Sequence, residues 1–178
     1  MTAPTADRRH PATVYPPDPQ VRIREIRAGD EAVIAALFGD LDPESCRRRW
    51  FGAVDVRRAA DWAAHPERVA AVGLLAFAGD ALVGHAVLVP LSSGRGEVAF
   101  EVAAPWRHHG IAGALLERLI AAAGAHDLRE VYADVLPENT DMLVVLREHG
   151  RHAESREGGV VSVTIPVAER RHPAQDRA

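Results

Sequence analysis

Three apolar strand patterns that follow one another in the middle of the chain constrain the fold most. The run VAAVGLLAFAGDALVGHAVLVP, residues 69–90, predicts two strands joined by a tight turn at Gly79-Asp80. After a second turn, SSGRG, the segment GEVAFEVAA at 96–104 predicts a third strand. Strands joined by such short turns pair antiparallel. We therefore expect a three-stranded antiparallel meander.

Helical and strand patterns alternate on both sides of this meander. Before it, VRIREI predicts a strand, AGDEAVIAALFGDL a helix, and DPESCRRRWFG and VRRAADWAAHPER two short helical pieces. After it, IAGALLERLIAAAG predicts a helix, REVYADVL a strand, PENTDMLVVLREHG a helix and GGVVSVTIPV a final strand. The resulting order, β-α-α-β-β-β-α-β-α-β, predicts an α/β fold whose sheet is antiparallel early and mixed later.

Length and composition indicate one folded domain. The chain has 178 residues, of which 47% are hydrophobic, which suffices for one core but not for two comfortable domains. Residues 1–20 and 169–178 are rich in proline or charge and show no periodicity. We expect them to be mobile tails around a domain at 21–168.

Charge and hydropathy argue against several partners. The net charge of −4 disfavours general nucleic-acid binding. No stretch reaches the ~18 apolar residues of a membrane span, and residues 1–20 lack the apolar core of a secretion signal, so we expect a cytoplasmic protein without a membrane partner. The 21 lysine and arginine residues are all arginine, so the chain has no lysine of its own.

The segment PWRHHGIAG at 105–113 joins the third meander strand to the next helix. A glycine-rich turn of this kind presents backbone N–H groups at the positive end of a helix dipole, which favours a phosphate or pyrophosphate. Arg107 would add a charged donor. The alternative is that Gly110 and Gly113 only permit close helix packing. Dinucleotide binding is disfavoured because the chain has no G-x-G-x-x-G motif.

The run Arg107-His108-His109-Gly110-Ile111-Ala112 fits R/Q-x-x-G-x-G/A, the acyl-CoA pyrophosphate loop of the GNAT acetyltransferase superfamily. The chain resembles this superfamily over 21–168, with GEVAFEV before the loop, IAGALLERLI after it and DVLPENTDML in the next unit. Within it, the chain looks most like the acetyltransferase domain of bacterial protein lysine acetyltransferases, from IREIRAGD, LDPESCRRRWFG and GEVAFEVAAPWR. The resemblance implies a mixed, largely antiparallel central sheet flanked by helices.

The same resemblance implies a reaction and its residues. Acetyl-CoA is the expected acyl donor, and a primary amine, with a protein lysine as one candidate, is the expected acceptor by direct attack. The residues expected to hold acetyl-CoA are Val102, Ala104, Arg107, His108, His109, Gly110, Ile111, Ala112, Gly113 and Asn139. For Asn139 the alternative is a simple helix N-cap. The tyrosine that protonates the leaving thiolate in many relatives is replaced by Leu146.

Glu97 is the expected general base, because related lysine acetyltransferases carry their catalytic glutamate ten residues before the position of Arg107. An alkylammonium has a pKa near ~10.4 and must lose a proton before it attacks. Strand alternation places Glu97, Ala99 and Glu101 on one face. The alternative for Glu97 is a solvated strand carboxylate. A non-catalytic acyl-CoA sensor or interaction module is the alternative function, motivated by Leu146.

The remaining polar groups favour structural roles. His85 alternates in phase with Val83 and Val87, which indicates a packed strand histidine. Adjacent His108 and His109 make a poor metal pair, and we expect no metal. The run of Arg47, Arg48 and Arg49 suggests a solvated helix face, with an acidic partner surface as the alternative.

Overall fold

The computed structural model describes residues 21–52, 54–69, 71–91, 93–149 and 152–168. The segments predicted to be mobile tails, 1–20 and 169–178, lie outside the described residues, so the domain boundaries remain predictions. Within the described part, the strands are β1 (Val21–Glu25), β2 (Val72–Ala78), β3 (Ala81–Pro90), β4 (Arg95–Val102), β5 (Glu130–Val135), β6 (Ala153–Glu157) and β7 (Val160–Pro166). The α-helices are α1 (Glu31–Gly39), α2 (Pro43–Trp50), α3 (Val56–Ala64), α4 (Ile111–Ala125) and α5 (Thr140–Glu148).

The strands form one sheet in the order β1-β2-β3-β4-β5-β7-β6. All neighbours pair antiparallel except β4 and β5, which are parallel because α4 carries the chain back between them. The β2-β3-β4 meander is as predicted. The α/β class with a mixed, largely antiparallel sheet flanked by helices is confirmed.

The predicted element order needs two additions. The two short helical pieces predicted before β2 are separate helices, so three α-helices precede β2 where the written order has two. Each of α2 and α3 has its own N-cap, Asp42 and Asp55, whose carboxylates accept from the N–H of Ser45 and Arg58. The polar segment before the last strand is itself a strand, β6. Every residue of β6 is exposed, so it shows no apolar alternation and is held by pairing with β7.

Each face of the sheet carries a separate core. On one face, α4 and α5 pack through buried Leu115, Leu119 and Leu146 against Val98 and Val131 of the sheet. On the other face, a smaller core joins α1 and α3 to β2 through residues that include Ile34, Phe38, Ala63 and Leu75. This second face remains open beyond β4, where the candidate site lies.

Candidate functional site

The sheet opens between β4 and β5. The two strands pair only at Arg95–Glu130, Gly96–Val131 and Glu97–Tyr132, although β4 continues to Val102 and β5 to Val135. The N–H of Ala103 donates to the carbonyl of Val83 on β3 at 2.9 Å. Because backbone groups alternate in direction along a strand, the N–H groups of Phe100 and Val102 face the gap instead. The gap therefore offers unpaired backbone groups to an extended ligand.

The loop after β4 ends beside this gap in a glycine-capped helix. His108 has φ 61°, and Gly110, the N-cap of α4, has φ 72°, a left-handed conformation that glycine adopts without strain. The N–H of Ala114 is the first to find an intrahelical carbonyl, that of Gly110, at 3.0 Å. Within the described residues, the N–H groups of 108–113 bond to no backbone carbonyl. Such a cluster suits an anionic diphosphate.

The two glycines of this loop are needed for different reasons. Gly110 is required by its backbone conformation. At Gly113, an added Cβ would lie 3.2 Å from Cε1 of His149, so this glycine lets α4 approach α5. The packing interpretation therefore applies to Gly113. His149 itself is held by its Nδ1, 2.6 Å from the carbonyl oxygen of Val145.

Arg107 points toward α2 in this structure. Its guanidinium donates to Ser45 Oγ at 2.7 Å and, through Nε, to the carbonyl of Val102 at 3.3 Å. It also lies 3.8 Å from Asp42. Hydrogen bonds from the Ser45 hydroxyl and N–H hold the pKa of the Asp42 carboxyl below its usual value. Arg107 thus ties the loop to the start of α2, and its contact with a phosphate remains a proposal.

The other residues expected to bind acetyl-CoA offer mainly backbone groups to a ligand. Ala104 lies in an exposed 3₁₀ turn, Ile111 is buried in the larger core, and Ala112 is half-buried. His108 is exposed, with Nε2 3.8 Å from Asp141, and Nδ1 of His109 lies 2.7 Å from the carbonyl of Arg107. Contacts from this loop to a ligand would therefore come chiefly from amides, with the two imidazoles at the rim.

Asn139 precedes α5, and its side chain makes no capping hydrogen bond. Its carbonyl accepts from the N–H of Leu143 at 3.2 Å, so only the backbone takes part in the helix start. Asn139 therefore occupies the N-cap position without a side-chain cap, and its amide stays a candidate for ligand contact. Leu146, by contrast, is fully buried in the larger core.

Glu97 is exposed on the open face of β4, at the last paired position before the strands separate. It lines a cavity of about 610 Å³ between the sheet and α2 and α3. The hydroxyl of Tyr132 donates to Glu97 Oε2 at 3.4 Å. Burial, the charges of Glu97 and Asp134, and this hydrogen bond raise the pKa of Tyr132, against an opposing effect of Arg95. The carboxylate is therefore accessible and has one neighbouring proton donor.

A buried ion-pair cluster lies beside Glu97 on the same face. Glu101 is 2.8 Å from Nδ1 of His85 and 2.7 Å from Nε of Arg49. Burial alone would raise the pKa of Glu101, but the charges of His85 and Arg49 and the hydrogen bond from Arg49 outweigh it and hold the pKa below its usual value. His85 is fully buried, as predicted, with its ring edge-on to Phe38.

Sequence reasoning missed the roles of two of these residues. No sequence pattern predicts Tyr132 as a site residue, because its approach to Glu97 depends on the parallel β4–β5 pairing, which links segments far apart in the chain. Glu101 shares a face with Glu97, and alternation could not tell which of the two carboxylates is buried. The register of the meander pairs Glu101 with His85, and this polar pair was the signal that could have identified Glu101 as the buried carboxylate.

The described residues contain no group of three or more histidine, cysteine, aspartate or glutamate side chains placed to hold a metal ion. None of their helices is long and apolar enough to cross a membrane.

The opened sheet and the glycine-capped loop together define an acetyltransferase fold. The chain belongs to the Acetyltransferase (GNAT) family, whose model matches residues 35–150. No curated protein sequence matches the chain.

Solved structures place the chain within this fold. It is similar to the GNAT domain of S. lividans PAT, with 28% identity, a TM-score of 0.75, and coverage of 82% of this chain and 90% of that domain. The putative acetyltransferase yncA from Salmonella typhimurium, solved with its cofactor acetyl-CoA, shares 16% identity with a TM-score of 0.70 over 88% of this chain and 99% of that one. Spermidine N-acetyltransferase from Vibrio cholerae, solved with CoA and spermine, shares 18% identity with a TM-score of 0.66 over 84% of this chain and 97% of that one.

Proposed function

We propose that the protein transfers an acetyl group from acetyl-CoA to a primary amine, with Glu97 as the general base. The observation that carries this proposal is the position of Glu97, an exposed carboxylate in a cavity wall at the point where β4 and β5 separate. A protein lysine, expected from the family resemblance, is one candidate acceptor.

The residues around the gap fit acetyl-CoA. The free N–H groups of 108–113 would bind the diphosphate, with Arg107 and the two histidines beside it. The outward N–H of Val102 would pair with the pantetheine arm or the thioester carbonyl. Ala104 follows the end of β4, and Asn139 follows the end of β5. Acetyl-CoA supplies the activated acetyl thioester.

Glu97 would take the proton that an arriving ammonium must lose, since the neutral amine is the nucleophile. The nitrogen then forms a bond to the carbonyl carbon as the carbon–sulfur bond breaks, and the electron pair leaves with sulfur. Because Leu146 is a buried hydrocarbon, it cannot return a proton to that sulfur. As the amide forms, the nitrogen loses its second proton to water, and water supplies one proton to the thiolate, so the products are the amide, the CoA thiol and protonated Glu97.

Replacement of Glu97 by glutamine tests the assignment. We expect Glu97→Gln to lower turnover by at least about 10²-fold, the low end of general-base contributions, because glutamine cannot accept the proton. Acetyl-CoA affinity, measured by calorimetry, should stay nearly unchanged, since the loop at 108–113 is untouched.

Asp80→Asn is the matched control, because it also removes an exposed carboxylate, in the β2–β3 turn and outside the lining of the cavity. Unchanged turnover in Glu97→Gln would remove Glu97 from the reaction. If the protein binds acetyl-CoA but releases no CoA with any amine in a broad panel, the sensor interpretation replaces the enzymatic one.

A further inference from the structure

The cavity beside Glu97 has aromatic walls. The rings of Phe38, Trp50 and Trp62 line it from α1, α2 and α3. Phe38 and Trp50 meet edge-to-face, with ring centroids 5.3 Å apart. Trp62 lines the cavity and remains 39% exposed, so part of its side chain is open to a ligand. An aromatic ligand would find edges and faces to pack against.

Aliphatic side chains supply most of the remaining surface. The sheet contributes Val87, Val89 and Ala99, and the helical side contributes Val54, Ala59 and Ala63. The volume of about 610 Å³ lies in the range of about 300–1,000 Å³ typical of small-molecule sites. A lysine side chain, a narrow unbranched methylene chain, would leave much of this apolar wall uncovered.

The charges of the lining sum to zero. They are Arg49 and Arg58 against Asp55 and Glu97. Arg49 is already paired with Glu101, and Asp55 caps α3 by accepting from the N–H of Arg58. Glu97 is the carboxylate of the lining at the point where β4 and β5 separate, so it meets the reacting ammonium. A polyamine has several ammonium groups, and beyond Asp55 the lining offers its further charges only apolar or arginine-bearing wall, at a desolvation cost.

We infer that the acceptor is a small monoamine with an aromatic ring, whose ammonium meets Glu97 while the ring packs between Trp50 and Trp62. This inference rests on the proposed function and narrows its amine. It favours a ring-bearing amine over both polyamines and peptide lysine.

The test compares acceptors by kcat/KM for CoA release at saturating acetyl-CoA. The panel pairs 2-phenylethylamine and tryptamine with spermidine and with a lysine residue blocked at its backbone ends. The chain itself contributes no lysine to the background. We expect the aromatic amines to exceed the other two by at least about tenfold, as apolar pocket contacts allow. Equal values, or a preference for lysine or spermidine, would overturn the inference.

The variant Trp62→Ala tests whether the aromatic wall of the cavity causes the preference for aromatic amines. We expect it to lower kcat/KM for 2-phenylethylamine by about tenfold while leaving that for spermidine and the calorimetric affinity for acetyl-CoA within twofold or so. The control is Phe51→Ala, which removes a ring that is 47% exposed and outside the cavity lining. A loss confined to Phe51→Ala, or no loss in Trp62→Ala, counts against the cavity.

The two proposals fail in different ways. If no amine releases CoA, the acetyltransfer proposal fails and the acceptor class falls with it. If amines are acetylated without an aromatic preference, acetyltransfer stands and only the acceptor class is wrong. Amine binding read from tryptophan fluorescence, with and without acetyl-CoA, gives a second measurement that does not require turnover.

Discussion

Tyr132 and Glu97 face each other across the last paired position of β4 and β5. The Arg95 guanidinium lies 4.7 Å from the centre of the Tyr132 ring, and its Nε is 2.6 Å from Glu130. These contacts hold the ring in place from the closed end of the gap. The phenol thus restrains one carboxylate oxygen of Glu97 and leaves the other for an incoming amine.

The proximity of this pair can be measured through the tyrosine. The chain has two tyrosines, so Tyr15→Phe leaves Tyr132 as the only phenol. In that background we expect Glu97→Gln to lower the pKa of Tyr132, because a negative charge that disfavours the phenolate is removed. Titration of the phenolate by ultraviolet absorbance measures the change. Asp80→Asn should leave the titration unchanged, and an unshifted curve in Glu97→Gln would show that the two groups are not in contact.

If Tyr132 acts through Glu97, their effects on catalysis should not add. We expect Tyr132→Phe to lower kcat about 2- to 13-fold, in line with the loss of one hydrogen bond of about 0.5–1.5 kcal/mol. Adding it to Glu97→Gln should cause no further loss. A double variant slower than Glu97→Gln by the full single effect would give Tyr132 an independent role.

At the scale of elements, the three consecutive arginines of α2 divide between the surface and the interior. Arg47 binds Glu44 and Glu138, and Arg48 binds Glu44, both at the surface. Arg49 turns inward to Glu101, with only 13% of its side chain exposed. The prediction of a solvated face holds for the first two and is wrong for Arg49, because each helical residue turns about 100° from the last. Arg49 thereby fastens α2, and the cavity wall it carries, to β4.

Removal of the buried carboxylate should weaken this attachment. We expect Glu101→Gln to lower the free energy of unfolding by about 3 kcal/mol or more, since Arg49 would lose its charged partner in the interior. Urea denaturation at neutral pH measures the difference. Glu148→Gln, an exchange on the rim of α5 outside this cluster, is the comparison.

The difference in the free energy of unfolding between wild type and Glu101→Gln should become smaller as the pH falls. The pKa of Glu101 is lower in the folded protein than its ordinary value of 4.5, so its contribution to stability is complete above that value. It declines as pH falls through the folded-state pKa, because the carboxylate is then protonated. The gap between wild type and Glu101→Gln should narrow in acid. A gap that widens below pH 4.5 would contradict the assignment.

For the whole molecule, the sequence predicts features set by residues close together in the chain and does not predict features set by contacts between distant segments. The meander could be predicted because alternation and the Gly79-Asp80 turn are local. The edge strand β6 could not, because Ala153–Glu157 has no buried face. The loop at 108–113 was identified from its glycines, whereas the direction of Arg107 toward Ser45 depends on the tertiary position of α2. Likewise, only the assembled sheet shows which of Glu97 and Glu101 is accessible.

The open sheet also predicts how the whole molecule responds to its proposed substrate. Acetyl-CoA at about 100 times its Kd should add about 2.7 kcal/mol to the free energy of unfolding. Hydrogen exchange should slow most at the amides of Phe100 and Val102, which face the gap. Protection confined to the surface loops would mean that the ligand does not enter between β4 and β5.

The separation of β4 from β5 gives this sheet inner edges as well as outer ones. The outer strands, β1 and β6, carry charged side chains, including Arg22, Arg24, Glu154 and Arg156, which discourage a neighbouring chain from adding a strand. The inner edge of β4 presents the N–H groups of Phe100 and Val102 and is covered only in part, by Arg107 on the carbonyl of Val102. A ligand lying there would shield the protein from association with its own copies, so solubility at high concentration should depend on the supply of acetyl-CoA.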